Sequence, residues 1–198
     1  MTEQQTLRRH LKQARRSLDP DTATQAQHAT LQRLQSLPCF RRAHRIAAYV
    51  GSNGEIDPMP LADMIEAQGK HLYLPVLHPF RPGRLWFCRW HPGERLWRNR
   101  YGIPEPRRRR DHILPARRLD LVIVPLLGFD VACHRLGMGG GYYDRTFAFM
   151  NQHRHIRRPL LIGLAHELQR VDKIEPQPWD VQLDAVVTAH RVYRRRDT

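Results

Sequence analysis

Residues 121–145 have the sequence LVIVPLLGFDVACHRLGMGGGYYDR. The run begins with four apolar residues, three of them β-branched, and stops at Pro125, which predicts a short strand buried on both faces. A glycine-rich loop follows, and a helix is predicted over residues 142–151. A buried strand, a glycine-rich loop and a helix in this order are typical of an α/β protein, in which ligands bind where parallel strands end.

The rest of the chain alternates between predicted helices and apolar strands. A first helix is predicted from an apolar stripe at helical spacing, formed by Leu7, Leu11, Ala14 and Leu18. Further helices are predicted over residues 22–37, ending at Pro38, and over residues 60–68. Further strands are predicted over residues 45–50, 71–74 (ending at Pro75), 85–90, 160–164 and 185–188. We therefore predict an α/β protein: a single-domain three-layer α/β/α sandwich over residues 1–198 with a mostly parallel central sheet, on which the helical segment 1–37 packs.

The composition is that of a globular protein with an unusual positive charge. Hydrophobic residues make up 41% of the 198 residues, and Lys+Arg number 33 against 19 Asp+Glu, for a net charge of +14. This balance favours polyanionic partners, namely nucleic acid, an anionic membrane, or phosphorylated and polycarboxylate small molecules. An ordinary solvated surface rich in arginine explains the count equally well. The basic runs at residues 107–110 and 194–196 suggest nucleic-acid binding as an alternative, but no helix-turn-helix, RRM or zinc-finger pattern accompanies them.

The cysteines and the apolar runs indicate the compartment. Cys39, Cys88 and Cys133 are far apart and form no CxxC pair, so that neither a disulfide framework nor a cysteine-rich zinc site is predicted. The N-terminus lacks the apolar stretch of a signal peptide, and residues 121–129, the longest nearly apolar run, are too short to span a membrane. We expect a cytoplasmic protein. His153 and His155 are interpreted as surface residues.

The loop between the strand and the helix has the chemistry of a phosphate site. Glycines at 137 and 139–141 let backbone amides approach an anion closely. Arg135 and Arg145 flank the loop and could pair with phosphate oxygens, while Asp144 could hold Mg²⁺. The loop matches neither GxxxxGK[ST] nor GxGxxG, since Tyr142 stands in place of the last glycine. A tight glycine-rich turn without a ligand is the alternative.

Other candidate residues are scattered along the sequence. Glu55 and Asp57 follow a predicted strand and could accept hydrogen bonds from an amine-rich ligand, although Asp57 is better explained as a helix cap. Aromatic residues interleaved with arginines could stack on a planar ring or simply pack in the core: Trp86, Trp90, Trp97 and Tyr101. Asp180 and Asp184 could each supply a second metal carboxylate or form a turn. Cys133 beside His134 is a weak candidate for a thiol nucleophile.

Several segments together resemble one known family. The segments PLLGFD and RLGMGGGYYDR, with LRRHLKQARRSL, YVGSNGEID, NRYGIPEP and DVQLDAVVT, are similar to the 5-formyltetrahydrofolate cyclo-ligase family, also called methenyltetrahydrofolate synthetases. The similarity extends over nearly the whole chain in the same order. It implies an ATP- and Mg²⁺-dependent enzyme that converts 5-formyltetrahydrofolate, possibly polyglutamylated, to 5,10-methenyltetrahydrofolate through a phosphorylated imidate. It further implies a monomer without an obligate nucleic-acid or membrane partner.

The resemblance also implies roles for individual residues. The implied ATP-binding residues are Gln4, Arg8, Arg135, Leu136, Gly137, Met138, Gly139, Gly140, Gly141, Tyr142 and Tyr143. The implied substrate-binding residues are Val50, Glu55, Trp97, Tyr101, Met138 and Tyr142. Asp144 and Asp180 are the implied metal ligands, and the implied catalytic residues are Arg135, Tyr143 and Asp144.

This sequence departs from the family pattern at three positions. Gln4 stands where the family often has lysine, Gly140 where some members have lysine, and Cys133 where glycine is usual. A protein of the same fold with weakened catalysis is therefore an alternative.

Overall fold

The computed structural model describes residues 2–152 and 159–195 of the chain. The helices are α1 (Glu3–Arg16), α2 (Pro20–Ser36), α3 (Pro38–Arg42), α4 (Ala62–Ala67), α5 (Tyr142–Phe147) and α6 (Phe149–Gln152). The strands are β1 (Arg45–Ala47), β2 (His71–Leu77), β3 (Leu85–Arg89), β4 (Leu96–Arg98), β5 (Pro104–Pro106), β6 (Ile113–Leu114), β7 (Leu121–Val124), β8 (Gly128–Phe129), β9 (Arg135–Leu136), β10 (Leu160–Leu164), β11 (Ala185–Val187) and β12 (Val192–Arg194). His153, His155 and Arg196 lie outside the described residues.

Eight strands form the main sheet in the order β12-β11-β10-β7-β1-β2-β3-β6. The five central strands, β11, β10, β7, β1 and β2, pair parallel with one another. At the two edges, β12 pairs antiparallel with β11, β3 pairs antiparallel with β2, and β6 pairs antiparallel with β3. This arrangement confirms the predicted α/β fold with a mostly parallel sheet. Two short ribbons, β4–β5 and β8–β9, lie apart from this sheet and were not predicted.

The side chains of β7 alternate between two hydrophobic layers. Leu121 and Ile123 pack on one face of the sheet with apolar residues of α2, α3 and α4, whereas Val122 and Val124 pack on the other face with Phe147 of α5. All four residues of β7 are completely buried. The apolar run that predicted a strand buried on both faces therefore lies between two helical layers, where each side chain removes apolar surface from water.

Helix α1 crosses the end of the sheet. Its N-terminus is closed by a capping box between Thr2 and Gln5. Leu7 and Leu11, from the predicted stripe, pack against Leu136 of β9 and Ile174 in a third hydrophobic cluster. This packing places the helix beside the glycine-rich loop, where its polar side chains reach the loops at the carboxyl ends of the strands.

One predicted strand end is wrong because Pro75 does not stop the strand, and a short helix that begins at Pro38 was not predicted. Strand β2 continues through Pro75, which pairs with Phe87 of β3. The pairing of β2 with β1 covers only residues 71–73, so that Pro75 lies where no β1 partner requires its missing N–H. Pro38 does not only end α2. It also occupies the first turn of α3, where a missing N–H costs nothing.

Two predicted helices are interrupted. The helix predicted over residues 142–151 consists of α5 and α6, which meet at Ala148. The helix predicted over residues 60–68 begins with a 3-10 turn, Met59–Leu61, before α4. Asp57 is not the N-cap of this helix as predicted, because Pro58 holds that position without a side-chain cap bond. The Asp57 side chain instead closes the loop before the helix, since its Oδ1 accepts the amide hydrogens of Gly51 at 2.9 Å and Met59 at 3.1 Å.

Candidate active site

A cleft of about 730 Å³ opens at the carboxyl ends of β1, β2 and β7. Its lining comes from α1, from the loop after β1, from the β4–β5 ribbon, from the glycine-rich loop and from residues 177–180. Carboxyl ends of parallel strands are where open α/β sheets bind ligands, because the strands diverge into loops there. The cleft is large enough for two small substrates held side by side.

The glycine-rich loop joins the β8–β9 ribbon to α5. Gly139 and Gly141 have φ values of +96° and +63°, which side chains strongly disfavour. Arg8 of α1 holds this loop, since its Nε donates to the Gly137 carbonyl at 2.9 Å and its Nη2 donates to Gln4 Oε1 at 3.3 Å. Gln4, Arg8 and the whole loop therefore line one wall of the cleft. Bare amides and a guanidinium on this wall offer donors to an anion.

Asp144 faces the cleft at the start of α5. Its Oδ1 forms an ion pair with Arg135 and accepts the Val181 amide hydrogen at 3.1 Å. Arg135 also donates to the Val181 carbonyl, and its side chain is almost completely buried. Arg135 thus fixes the position of the carboxylate, which is held beside the glycine-rich loop and open to the cleft.

The two predicted metal carboxylates lie in the same cleft. Asp180 lines it with Asp144, and Asp180 Oδ2 accepts the Gln177 amide hydrogen at 2.8 Å. Within residues 2–152 and 159–195, no group of three or more His, Cys, Asp or Glu side chains could hold a metal ion. Mg²⁺ in nucleotide sites is commonly held by one or two carboxylates together with phosphates and water. The donor set fits that mode of binding.

Asp184, the alternative second carboxylate, lies elsewhere. Its Oδ2 accepts the Leu161 amide hydrogen at 2.8 Å, and its Oδ1 is 3.0 Å from Arg195 Nη2. Asp184 therefore ties β10 to the C-terminal segment, and the hypothesis that it binds a metal is wrong.

Glu55 lines the same cleft from the loop after β1. Its Oε1 accepts a hydrogen bond from Arg15 Nη1 at 3.3 Å, and its Oε2 accepts the Ser52 amide hydrogen at 3.1 Å. Burial raises the pKa of Glu55, while the positive charge of Arg15 opposes that rise. Val50 and Tyr49 line the cleft beside it.

Arg15 is the main site residue that the sequence analysis missed. Its side chain is completely buried, its Nε donates to the Asn53 carbonyl at 3.1 Å, and its Nη1 also reaches the Leu126 carbonyl at 3.4 Å. Arg15 follows Leu11 by one helical turn. A charged residue on the apolar stripe of α1 was the available signal.

Tyr143 lines the cleft within electrostatic range of both Glu55 and Arg135. Burial raises the pKa of Tyr143 strongly, with a further contribution from the negative charge of Glu55. The hydroxyl therefore stays protonated over the physiological pH range and can donate a hydrogen bond. Tyr142, next to it, donates from its hydroxyl to the hydroxyl of Tyr101 at 2.9 Å, which connects the glycine-rich loop to the tip of the β4–β5 ribbon.

The aromatic predictions have mixed outcomes. Tyr101 and Met138 line the cleft, but Trp97 does not. Trp97 is on β4 between Leu96, which packs on the core, and Arg98, which lines the cleft, so the pleat directs Trp97 to the opposite face. Trp179, which is 65% exposed, lines the cleft beside Asp180 and was missed.

The remaining aromatic candidates pack in the body of the protein. Trp90 is buried, and Trp86 is half-buried against His78, with ring centroids 4.5 Å apart. Both agree with the interpretation as packing residues.

Arg145 was expected to pair with phosphate oxygens, but it does not line the cleft. Its Nε donates to the Gly83 carbonyl at 3.0 Å, and its Nη2 donates to the Gly140 carbonyl. It therefore ties the glycine-rich loop to the turn before β3. These bonds occupy the guanidinium that was expected to pair with phosphate.

Cys133 stands in the tight turn between β8 and β9. It adopts a φ of +67°, the left-handed conformation in which glycine is favoured, and its side chain is fully buried. Burial raises the pKa of the thiol to about 11, so that little thiolate exists at neutral pH. The hypothesis of a thiol nucleophile is not supported by this environment.

Known proteins of one family are similar to this chain over nearly its whole length. The model of the 5-formyltetrahydrofolate cyclo-ligase family matches residues 1–189. The chain belongs to this family. It is 40% identical over 183 residues to the 5-formyltetrahydrofolate cyclo-ligase of Escherichia coli K12, covering 92% of this chain and 98% of that protein. The enzyme of that name from Haemophilus influenzae is 36% identical over 179 residues, covering 90% and 94% of the two chains.

A solved structure has the same fold. The NMR structure of Aquifex aeolicus 5,10-methenyltetrahydrofolate synthetase superimposes with a TM-score of 0.83 at 27% identity, covering 100% of this chain and 95% of that one. In the part of the cyclo-ligase-family chain that the structure describes, no helix combines the length and apolar character needed to cross a bilayer.

Proposed function

We propose that this chain catalyses the ATP-dependent conversion of 5-formyltetrahydrofolate to 5,10-methenyltetrahydrofolate, with release of ADP and phosphate. The observation that carries the proposal is that the glycine-rich loop and Glu55 line the same cleft. A phosphoryl donor and an amine-rich acceptor bound at these two places would meet at Tyr143. The names of the E. coli and A. aeolicus relatives support the same activity.

The glycine-rich wall would bind ATP. Its amide groups and the Arg8 guanidinium offer donors to phosphate oxygens, and Gln4 holds Arg8 in place. The proposed ATP-binding residues are Gln4, Arg8, and residues 135–143. Trp179 adds an exposed aromatic face at the rim, on which a base could stack.

Asp144 and Asp180 would hold Mg²⁺. These two carboxylates would place a positive charge beside the phosphate groups, where it would offset the negative charge that develops during transfer. Arg135 keeps the Asp144 carboxylate at the edge of the loop and neutralises it in the free protein. Arg135 therefore acts on the reaction through Asp144.

The part of the cleft around Glu55 would bind the folate. The Glu55 carboxylate accepts hydrogen bonds from an amine-bearing ring, and Val50, Met138, Tyr101 and Tyr142 offer apolar and aromatic surface. Because Arg15 and Ser52 already occupy positions around the carboxylate, Glu55 is held in one orientation before substrate arrives. Such preorganisation reduces the entropic cost of binding.

The chemistry follows from placing the formyl oxygen in line with the γ-phosphate. The oxygen attacks phosphorus, the bond to the bridging oxygen of ADP breaks, and a phosphorylated imidate forms. The N10 lone pair then attacks the formyl carbon, N10 loses its proton, and the carbon–oxygen bond breaks to release phosphate. Phosphorylation is needed because an amide oxygen is a poor leaving group, and the protonated Tyr143 hydroxyl could donate to the charge that develops on oxygen.

The site is built from one chain. Residues from α1 near the N-terminus and from the segment at 177–180 meet in one cleft. This supports the proposal that residues 1–198 act as a single domain, with the N-terminal helices packed on the sheet, and that the enzyme works as a monomer.

The test is an absorbance assay for methenyl product formed from 5-formyltetrahydrofolate with Mg-ATP. We expect turnover that requires both substrates and releases one ADP for each product molecule. Binding of a non-hydrolysable ATP analogue and of the folate, each measured by calorimetry, separates a catalytically weakened protein from an active one. Binding of both without turnover would contradict the proposed activity.

A further inference from the structure

A second hollow, of about 610 Å³, lies at the far end of β3 from the cleft. Leu85 at the start of β3 lines the cleft, whereas Arg89 at its end lines the hollow. Most of the lining is arginine, and Glu94 and His112 complete it: Arg89, Arg95, Arg107, Arg108 and Arg109. The basic run at residues 107–110 thus contributes to a concave surface, and the proposed enzyme function does not use it.

The charges in this hollow are not balanced. Five guanidinium groups from three separate segments converge, and Glu94 is one carboxylate among them. In residues 2–152 and 159–195, none of the five guanidinium groups forms an ion pair or a hydrogen bond with another side chain or backbone atom. Like charges brought together in this way repel one another, and an anion in the hollow would relieve the repulsion.

Backbone and ring contacts hold three of these arginines in place, while four of the five are exposed and Arg89 is half-buried. The Arg107 carbonyl accepts from Cys88 Sγ at 3.5 Å, and the Arg109 carbonyl accepts the His112 amide hydrogen at 3.0 Å. The Arg95 guanidinium lies 4.2 Å from the centre of the Trp97 ring, a cation–π contact that restricts its position. Trp97 therefore contacts one of the arginines of the hollow, although it does not line the hollow itself.

We propose that this hollow binds a small oligophosphate, a chain of two or three linked phosphate groups. The planar guanidinium fork matches pairs of phosphate oxygens, and arginine rather than lysine supplies all five cations. A hollow of this size accommodates a small molecule rather than a single ion. The phosphate chain is either inorganic or part of a nucleotide, and both sources carry the same phosphate chemistry.

The test is calorimetric titration of the full chain with inorganic tripolyphosphate. The hollow variant replaces Arg107, Arg108 and Arg109 with Gln. The control variant replaces Arg41, Arg42 and Arg194 with Gln, which removes the same charge from exposed arginines that do not line the hollow. Both variants keep the cleft, so phosphate binding there affects them equally.

We expect the hollow variant to lose at least about tenfold in affinity for tripolyphosphate and the control to change by less than about twofold. Tripolyphosphate should also raise the Tm of the wild type and the control more than that of the hollow variant. An equal loss in both variants would assign binding to net charge and overturn the proposal, as would no loss in either. If the triple variant does not fold, Arg108→Gln and Arg95→Gln are compared singly with Arg42→Gln.

Two further titrations identify the source of the ligand. A nucleoside triphosphate that binds the hollow no more tightly than tripolyphosphate shows that the phosphates alone are recognised, which supports the proposal. A single-stranded oligonucleotide that binds at least about 100-fold more tightly, with that binding lost in the hollow variant, would assign the hollow to nucleic acid and overturn it.

Discussion

The Arg15 guanidinium is 3.3 Å from the Glu55 carboxylate, and both side chains are almost completely removed from water. This ion pair joins α1 to the loop after β1. Burial alone would favour the protonated form of Glu55, and Arg15 acts against that preference. The ion pair therefore favours the ionised form of Glu55, so that this part of the cleft presents a carboxylate.

Replacement of Arg15 by Met should destabilise the fold and raise the pKa of Glu55 further. Breaking one side of a buried pair leaves an uncompensated charge and costs roughly 3–5 kcal/mol. Because the ionised carboxylate is the form that accepts hydrogen bonds, folate affinity should fall as the pH drops through the raised pKa, and should do so at higher pH in Arg15→Met than in wild type. Folate titrations across pH at a temperature where the variant is folded measure this shift.

The matched control is Arg16→Met. Arg16 is the next residue of α1, is exposed, and donates a hydrogen bond to the side chain of Asn53 that the variant removes. This variant should leave both stability and the pH profile nearly unchanged. Identical pH profiles for wild type and Arg15→Met would show that Arg15 does not influence Glu55.

Replacement of Glu55 by Ala should weaken folate binding more than ATP binding. We expect about a tenfold or greater loss in folate affinity, because a lost hydrogen bond to a charged group costs roughly 1.5–3 kcal/mol, while the ATP analogue binds at the glycine-rich loop. Separate calorimetric titrations measure the two affinities. Equal losses for both ligands would reject the assignment of Glu55 to the folate.

Replacement of Asp144 by Asn should reduce the rate of ring closure at least about 100-fold. The carboxylate is a proposed ligand of the Mg²⁺ that would offset the negative charge developing on the phosphates during transfer. The amide retains the size of the side chain and an oxygen for the Val181 amide hydrogen, so circular dichroism and Tm should show a folded protein. Asp184→Asn is the control outside the cleft, and its turnover should remain close to wild type if it folds. Unchanged turnover in Asp144→Asn would remove Asp144 from the proposed metal site.

Replacement of Gly163 by Ala should destabilise the protein by roughly 1–3 kcal/mol through overpacking of β10. A Cβ at this position would lie 2.5 Å from Leu126 Cδ2 and 2.9 Å from Leu183 Cδ1, inside the core. Gly137→Ala is the control, because nothing lies within 4 Å of a Cβ there. Chemical denaturation of the two variants should show a loss for the first and little change for the second, and equal midpoints would contradict the packing argument.

The local pattern of the sequence was enough to predict the sheet and one wall of the site. The β7 strand and the glycine-rich loop were both visible, because a doubly buried strand needs an unbroken apolar run and a loop close to an anion needs glycine. Family resemblance added Gln4 and Arg8 and favoured Asp180 over Asp184, and these three residues line the cleft together with Asp144. The ends of elements were predicted less well, since Pro75 is tolerated only because β1 has already ended beside it.

Only the tertiary structure decided which polar and aromatic residues reach the cleft. The ion pair between Arg15 and Glu55 could not be predicted from the sequence, because the two residues are forty positions apart. Trp97 and Trp179 are equally aromatic, but the pleat of β4 turns the first away from the cleft, while the second lies on its rim. Periodicity along the chain determines which face of an element is buried. The partners that a buried or half-buried side chain meets depend on how distant elements pack, and short-range patterns carry no information about that packing.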